Sequence, residues 1–244
     1  MHELVRILHD YTHILALGKW PVGSLGGLAL TLFLAAAGLL GAFPLAVLTG
    51  VVRTCPWTFL RWISAGYVQV IRGIPILMLI FWSYFAVPLL SGYSVTGVTT
   101  MIFALIIYET AFLGEIVRAG IEALPRGQVE ASRSLGLGYF RTLRHVVLPQ
   151  ALFNMLPSIL NQFINLVKNT SLAYIIGVEE LTYFASEVNN YELDKPMLIY
   201  GLLAAIYFVL CFSLSRLVGV LEKHVRRSRN NIQIDAALAQ GARK

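Results

Sequence analysis

Residues 25–52 form a run of about 28 residues without one charged side chain, longer than the roughly 20 a helix needs to cross a hydrocarbon core of about 30 Å. Four more apolar stretches follow at 62–90, 97–117, 146–167 and 197–215. The whole 244-residue chain is 57% hydrophobic and only 13% charged, where a soluble domain is about a quarter charged. Its mean hydropathy of +0.70 agrees. Backbone in lipid must satisfy its own hydrogen bonds, so only helices and closed barrels span a bilayer. The stretches are continuous and lack the alternation of barrel strands. They predict an all-α integral membrane protein with about five transmembrane helices.

Lys and Arg are retained in short loops on the cytoplasmic side. Arg53 and Arg61 lie between the first two stretches, and Arg126, Arg133, Arg141 and Arg144 between the third and fourth. Lys223, Arg226, Arg227 and Arg229 follow the fifth. The alternate loops hold an uncharged 92–96 segment and an acidic one with Glu179, Glu180, Glu187, Glu192 and Asp194 against Lys195. This asymmetry predicts an N-terminus outside the cell membrane and a C-terminus on its cytoplasmic side.

Residues 1–20 carry Glu3 and Asp10 and no leading basic cluster, which does not fit a targeting segment. Leu4, Ile7, Leu8, Tyr11, Ile14 and Leu15 recur at helical spacing, predicting an interfacial amphipathic helix with one face in lipid. The membrane-spanning body is expected at 21–229 and a flexible tail at 230–244, where helical periodicity is lost. Cys55 and Cys211 have no metal-ligand spacing, and no metal site is expected. The net charge of +6 comes without a basic stripe interleaved with stacking aromatics, so nucleic acid is not an expected partner.

The polar segment 125–149 is cut by Pro125, Gly127, Gly136 and Gly138 into short pieces. Gly127 is expected to end the preceding helix, and residues 128–135 to form a short one before a glycine turn. Such a helix-turn-helix outside the membrane is a rigid knob. Ala131 permits close approach, Glu130 offers a hydrogen bond, and the arginines meet an acidic surface.

Within it, Glu130-Ala131-Ser132, Gly136 and the Val146-Val147-Leu148-Pro149 end resemble the Glu-Ala-Ala loop of bacterial ABC-transporter permeases, with Ser132 in place of the second Ala and Val146 in place of Ile. Arg72-Gly73-Ile74-Pro75-Ile76-Leu77, Glu115 to Ile121 and Lys168-Asn169-Thr170-Ser171-Leu172 resemble the polar amino-acid uptake branch. Trp82, Tyr84 and Pro88 look most like glutamate/aspartate permeases. The resemblance implies a type I ABC importer (MetI-like) permease fold in the bacterial inner membrane. It also implies a second permease subunit, identical or homologous, two ABC ATPase subunits, and a periplasmic substrate-binding protein. Glu130, Ala131, Ser132, Gly136, Arg141, Leu148 and Pro149 are then the coupling residues. No phosphate-cradling Gly-x-x-x-x-Gly-Lys-Ser/Thr run occurs, since Gly18-Lys19 is followed by Trp20. The chain is therefore not expected to be an enzyme or to hold a cofactor; ATP and Mg belong to the partner subunits.

In the fourth stretch Gln150, Asn154, Ser158, Asn161, Asn165 and Lys168 recur at steps of three or four and share one helical face. Polar groups facing lipid are costly, so this face is expected to look at water, substrate or a partner helix. Lys168-Asn169-Thr170-Ser171 is expected to break the helix, with freed N–H groups and the Thr170 and Ser171 hydroxyls available to a carboxylate. Arg72 and Glu109 lie about 16 and 18 Å from opposite surfaces by helical rise. They are expected to pair or to line the cavity together. Alternating access for a polar amino acid, glutamate or aspartate first, follows, with another polar or basic amino acid as the alternative. An ion-coupled secondary transporter could use the same midplane charges without an ATPase. An intramembrane enzyme is disfavoured because His2, His9, His13, His145 and His224 all lie outside the stretches.

Overall fold

The computed structural model of the chain describes residues 2–241, and the side chains of residues 6, 7 and 9–223. The side chains of Leu4, Leu8, Arg226, Arg227 and Arg229, and residues 242–244 of the expected tail, lie outside them. The elements are α1 (His2–Leu17), α2 (Gly27–Thr54), α3 (Thr58–Gly73), α4 (Ile76–Phe81), α5 (Val87–Ser91), α6 (Gly97–Glu122), α7 (Arg126–Ser134), α8 (Tyr139–Thr142), α9 (Leu148–Asn169), α10 (Leu181–Tyr191) and α11 (Pro196–Gly241). No strand occurs among the described residues.

At the centre α2 lies against α6. Gly38, Ala42, Ala46 and Gly50 are buried at intervals of four along α2, a stripe of small residues that lets two helices approach closely without a hydrophobic driving force between them. A Cβ on Gly50 would stand 2.5 Å from Val117 Cγ1, and one on Gly114 would stand 2.9 Å from Thr49 Cγ2. Around this seam Leu34, Leu105, Leu166 and Ile80 close one core cluster, and Leu113, Val117, Ala151 and Met155 a second.

α2, α6 and residues Pro196–Lys223 of α11 are each long and apolar enough to cross a membrane. The expected uninterrupted stretch 62–90 is instead broken: α3 and the segment Ile76–Ser91 meet at 101°. Pro75 cannot donate a backbone hydrogen bond, and its ring forces Ile74 out of the helical region to φ −100, ψ 133. α9 covers the fourth stretch. Its 22 residues reach about 33 Å, and the polar stripe lowers its hydropathy below that of the other spans.

Three further expectations change. Gly127 does not end the helix before it; α6 stops at Glu122, and Gly127 sits in the first turn of α7 behind Pro125. Helical periodicity is not lost after Asn230; the backbone is helical to Gly241, as Ala236, Ala237, Leu238 and Ala239 are strong helix formers. The apolar face of α1 does not lie in lipid. Ile7 and Leu15 are buried, and Tyr11, Ile14 and Leu15 pack with Phe184, Val188 and Ile199 of α10 and α11. The acidic loop read from the sequence is the helix α10, which supplies the surface that α1 covers. Arg6 donates to Glu192 at 2.8 Å across that contact.

A buried carboxyl fastens this end of the bundle. Glu180 has no exposed surface. It accepts the Tyr183 N–H at 3.0 Å, capping α10, and the Tyr207 and Thr31 hydroxyls at 3.1 and 3.3 Å. Thr31 in turn accepts the Leu181 N–H at 3.2 Å, and the backbone of Gly27 donates to Glu179 O at 3.0 Å. One side chain thus ties α2, α10 and α11 together.

Candidate functional site

At the far end of the bundle from α1 and α10, α7 and α8 form the expected elbow. Gly136 takes φ +81, open to glycine at little cost, and lets Gly136 N and Leu137 N donate back to Arg133 O and Ser132 O at 2.9 and 3.1 Å. Glu130, Ala131, Arg133 and Arg141 are exposed, and Leu135 and Phe140 are 82% and 64% exposed. Ser132 faces inward instead: it is buried, and its hydroxyl donates to Gln128 O at 2.8 Å. It braces the knob rather than offering a contact surface.

A groove of about 630 Å³ runs between this knob and the ends of α2 and α6, with Glu122, Arg126, Glu130, Arg133 and Tyr139 on its walls. Burial pushes the Tyr139 hydroxyl above its usual pKa, so it stays protonated. Beyond α8 the chain makes a π-helical turn, Leu143–Val147, in which Leu148 N donates to Leu143 O. Pro149 follows at the start of α9 and has no N–H to extend the normal ladder. The elbow is thereby joined to α9 as one continuous helical arm.

Along α9, Gln150, Asn154, Ser158, Asn161, Asn165 and Lys168 are all exposed, so the polar face is uncovered by the rest of the chain. Over the last two turns of α9 this face opens on a cavity of about 360 Å³ lined by Tyr108, Phe112, Gln162, Asn165, Lys168 and Asn169. The Arg72 guanidinium stands 5.3 Å from the centre of the Phe112 ring, a cation–π distance.

Glu109 is not paired with Arg72. Its side chain is fully buried behind the cavity and accepts the Gln162 amide at 2.8 Å. It points from α6 towards α9, whereas Arg72 reaches α6 from α3 at Phe112. Glu109 thus positions a cavity-lining amide and does not itself face the space. Nor does the chain break at Lys168 to Ser171. α9 tightens into a 3-10 turn, Thr170–Ile176, and reverses only at Gly177, φ +74. Thr170 is buried, and the Thr170 and Ser171 hydroxyls donate to Val167 O and Lys168 O, both at 2.7 Å. These hydroxyls satisfy the tightening backbone and are not free donors. Tyr108, Phe112 and Gln162 were not singled out from the sequence. Gln162 is one step off the polar stripe, and the aromatics read as ordinary apolar positions; only the polar Gln162 in an apolar helix gave a signal.

Nearer the elbow, Glu115 accepts from both Arg53 of α2 and Arg118, and Arg118 also donates to Glu122. The expected ion pair along α6 is therefore part of a ladder that also clamps α2.

A multi-pass helix bundle with an uncovered polar helix face and a rigid elbow beyond its ends has the build of a translocating membrane subunit. Residues 42–227 match the family described as binding-protein-dependent transport system inner membrane component, and the chain belongs to that family. It is thus a permease subunit of an ABC transporter, whose ATPase activity lies in a separate partner subunit.

The chain is 36% identical over 226 residues to the inner membrane amino-acid ABC transporter permease protein YhdY of Escherichia coli, covering 90% of this chain and 61% of that one. It is 38% identical to the probable glutamine ABC transporter permease protein GlnP of Bacillus subtilis, covering 80% and 90%. The chain thus spans under two thirds of the first relative and nearly all of the second. The crystal structure of an amino acid ABC transporter with histidines aligns with a TM-score of 0.75 at 31% identity, over 81% of this chain and 92% of that one. An inward-facing MetNI methionine ABC transporter aligns at 0.62 and 22% identity, a likeness of fold.

Proposed function

We propose that this chain, the permease subunit of an amino-acid ABC importer, carries an acidic amino acid, glutamate or aspartate, past the cavity between α3, α6 and α9. The observation that carries the reading is the charge of that cavity. Lys168 lines it and Arg72 stands over its Phe112 wall, while the nearby Glu109 carboxylate is buried behind Gln162. The two cations attract carboxylates, and the amides of Gln162, Asn165 and Asn169 satisfy an ammonium or a second carboxylate.

In this reading the N-terminus is periplasmic, and a second permease subunit covers the polar face of α9. A periplasmic binding protein delivers the substrate. Two ATPase subunits holding ATP and Mg grip Glu130, Ala131, Arg141 and their neighbours, and the arm through Leu148 and Pro149 carries that motion into α9. Glutamine is the second reading, favoured by the amide-rich lining and by the name of the Bacillus relative.

The test is uptake of labelled glutamate by vesicles containing the assembled transporter and its binding protein, with unlabelled aspartate, glutamine, histidine and lysine as competitors. Competition by aspartate alone is expected. Stronger competition by glutamine moves the substrate to the amide, and uptake without any ATPase subunit ends the ABC reading.

A further inference from the structure

From Arg72 a second set of polar and small side chains descends α3 towards the elbow end. Gln69, Ala65 and Arg61 follow at steps of three and four, so they lie beneath Arg72 on one face. With Trp62 and Gly66, and with Arg53, Arg118 and Glu122 from α2 and α6, they line a groove of about 470 Å³. That volume is within the range of small-molecule sites.

The charges in it are unevenly spent. Arg53 and Arg118 are held by Glu115 and Glu122. Arg61 makes no ion pair among the described residues, which leaves one positive charge over two carboxylates and three guanidiniums. The space is real as well as charged: a Cβ on Gly66 would meet nothing within 4 Å. Trp62 stands 75% exposed at the rim, an apolar wall beside the free guanidinium.

We infer that this groove is a second, inner binding site for the transported amino acid, with Arg61 taking the α-carboxylate after it leaves the middle cavity. The inference rests on the proposed function, because it takes α3 and α6 to border the substrate's route and the elbow end to be cytoplasmic. Its consequence is regulatory. A site that holds the product on the inner side keeps the route occupied, so accumulated amino acid slows further import.

The experiment uses vesicles in which the assembled transporter has its ATPase side, and ATP, within. Graded glutamate is enclosed, and initial uptake of external labelled glutamate is measured. The readout is the internal concentration that halves each variant's own uncompeted rate, so a general loss of rate does not count. Internal glutamate is expected to inhibit, and its diamide, which lacks both carboxylates, is not. Arg61→Gln is expected to raise the half-inhibiting concentration about tenfold or more, the worth of one charge-assisted hydrogen bond, and Arg61→Lys to restore most of it. Gly66→Leu, which fills the groove without a clash, is expected to act as Arg61→Gln does.

Inhibition equal in wild type, Arg61→Gln and Gly66→Leu overturns the inference, as does its absence in wild type. Equal inhibition by enclosed orthophosphate overturns it too, by marking a general anion site. If external glutamate is not taken up at all, it is the proposed substrate that has failed; glutamine then replaces it as both label and internal probe, and the same comparison decides the groove.

Discussion

Replacing Glu180 by Gln separates the hydrogen bonds of the buried carboxyl from its charge. Glu180 lies between the 3-10 turn and α10, outside the spanning segments, and burial pushes its pKa up from 4.5 to about 7. The unfolded chain releases this proton near 4.5 and the folded chain keeps it to about 7, so between those values the folded state binds more protons. The group's contribution to stability is therefore greatest below about 4.5 and declines as pH rises to 7. At 1.4 kcal/mol per pKa unit the loss over that window is about 3 kcal/mol.

A Gln amide keeps the acceptor for the Tyr183 N–H and donates to the Tyr207 and Thr31 oxygens, but carries no charge at any pH. The variant should match wild type near pH 5 and exceed it near pH 8 by about 2–3 kcal/mol, or roughly 5–10 °C in Tm for a chain of this length. Cys55 is only 4% exposed, so with the partly exposed Cys211 replaced by Ser in both proteins a thiol-reactive fluorogenic dye reports unfolding of the detergent-solubilised chain. The Lys19, Ser24 and Glu179 contacts nearby are common to both proteins and cancel in the comparison. Parallel pH curves for the two would refute the reasoning, because then the carboxyl would titrate alike folded and unfolded.

Gly50→Ala places a methyl against Val117 and the Gly114 carbonyl and should cost about 1–3 kcal/mol by overpacking, while Gly66→Ala, in open space, should cost nothing; thermal unfolding compares them. Gly136→Val forces a β-branched residue to φ +81 at about 1–3 kcal/mol of local strain, and co-purification of the ATPase should fall while the spans stay folded by circular dichroism. Lys168→Met removes a cavity cation and should lower uptake about tenfold or more, with ATPase co-purification unchanged. Arg53→Ala frees α2 from Glu115 and should lower Tm, whereas Arg126→Ala on the exposed elbow should leave it within about 1 °C.

Hydropathy and charge placement carried the helices because each span has to bury its own backbone polar groups, a constraint local to the sequence. The break at Ile74-Pro75 was carried by the same residues but escaped the reading, since an apolar run looks continuous whether or not a proline bends it. α10 was hidden for a different reason. Glu187 within it and the acids flanking it set the balance of that loop, and its apolar positions make sense only beside α1, which reaches it from the other end of the chain. Glu109 and Gln162 also lie far apart in sequence, on different helices, so no spacing rule could pair them, and Arg72 was left as the nearest charge by depth alone. The elbow was legible because its glycines and prolines act over a few residues. Which way Ser132 faced was not, because that depends on how α7 rests on the ends of the spans.

The uncovered row from Gln150 to Lys168 has a meaning for the life of the chain outside its complex. A newly inserted copy that has found no companions holds amides and an ammonium against acyl chains, where they draw in water and thin the bilayer around them. A helix laid over that row would remove this cost, so the exposed amides and ammonium of α9 favour the assembled chain over the solitary one.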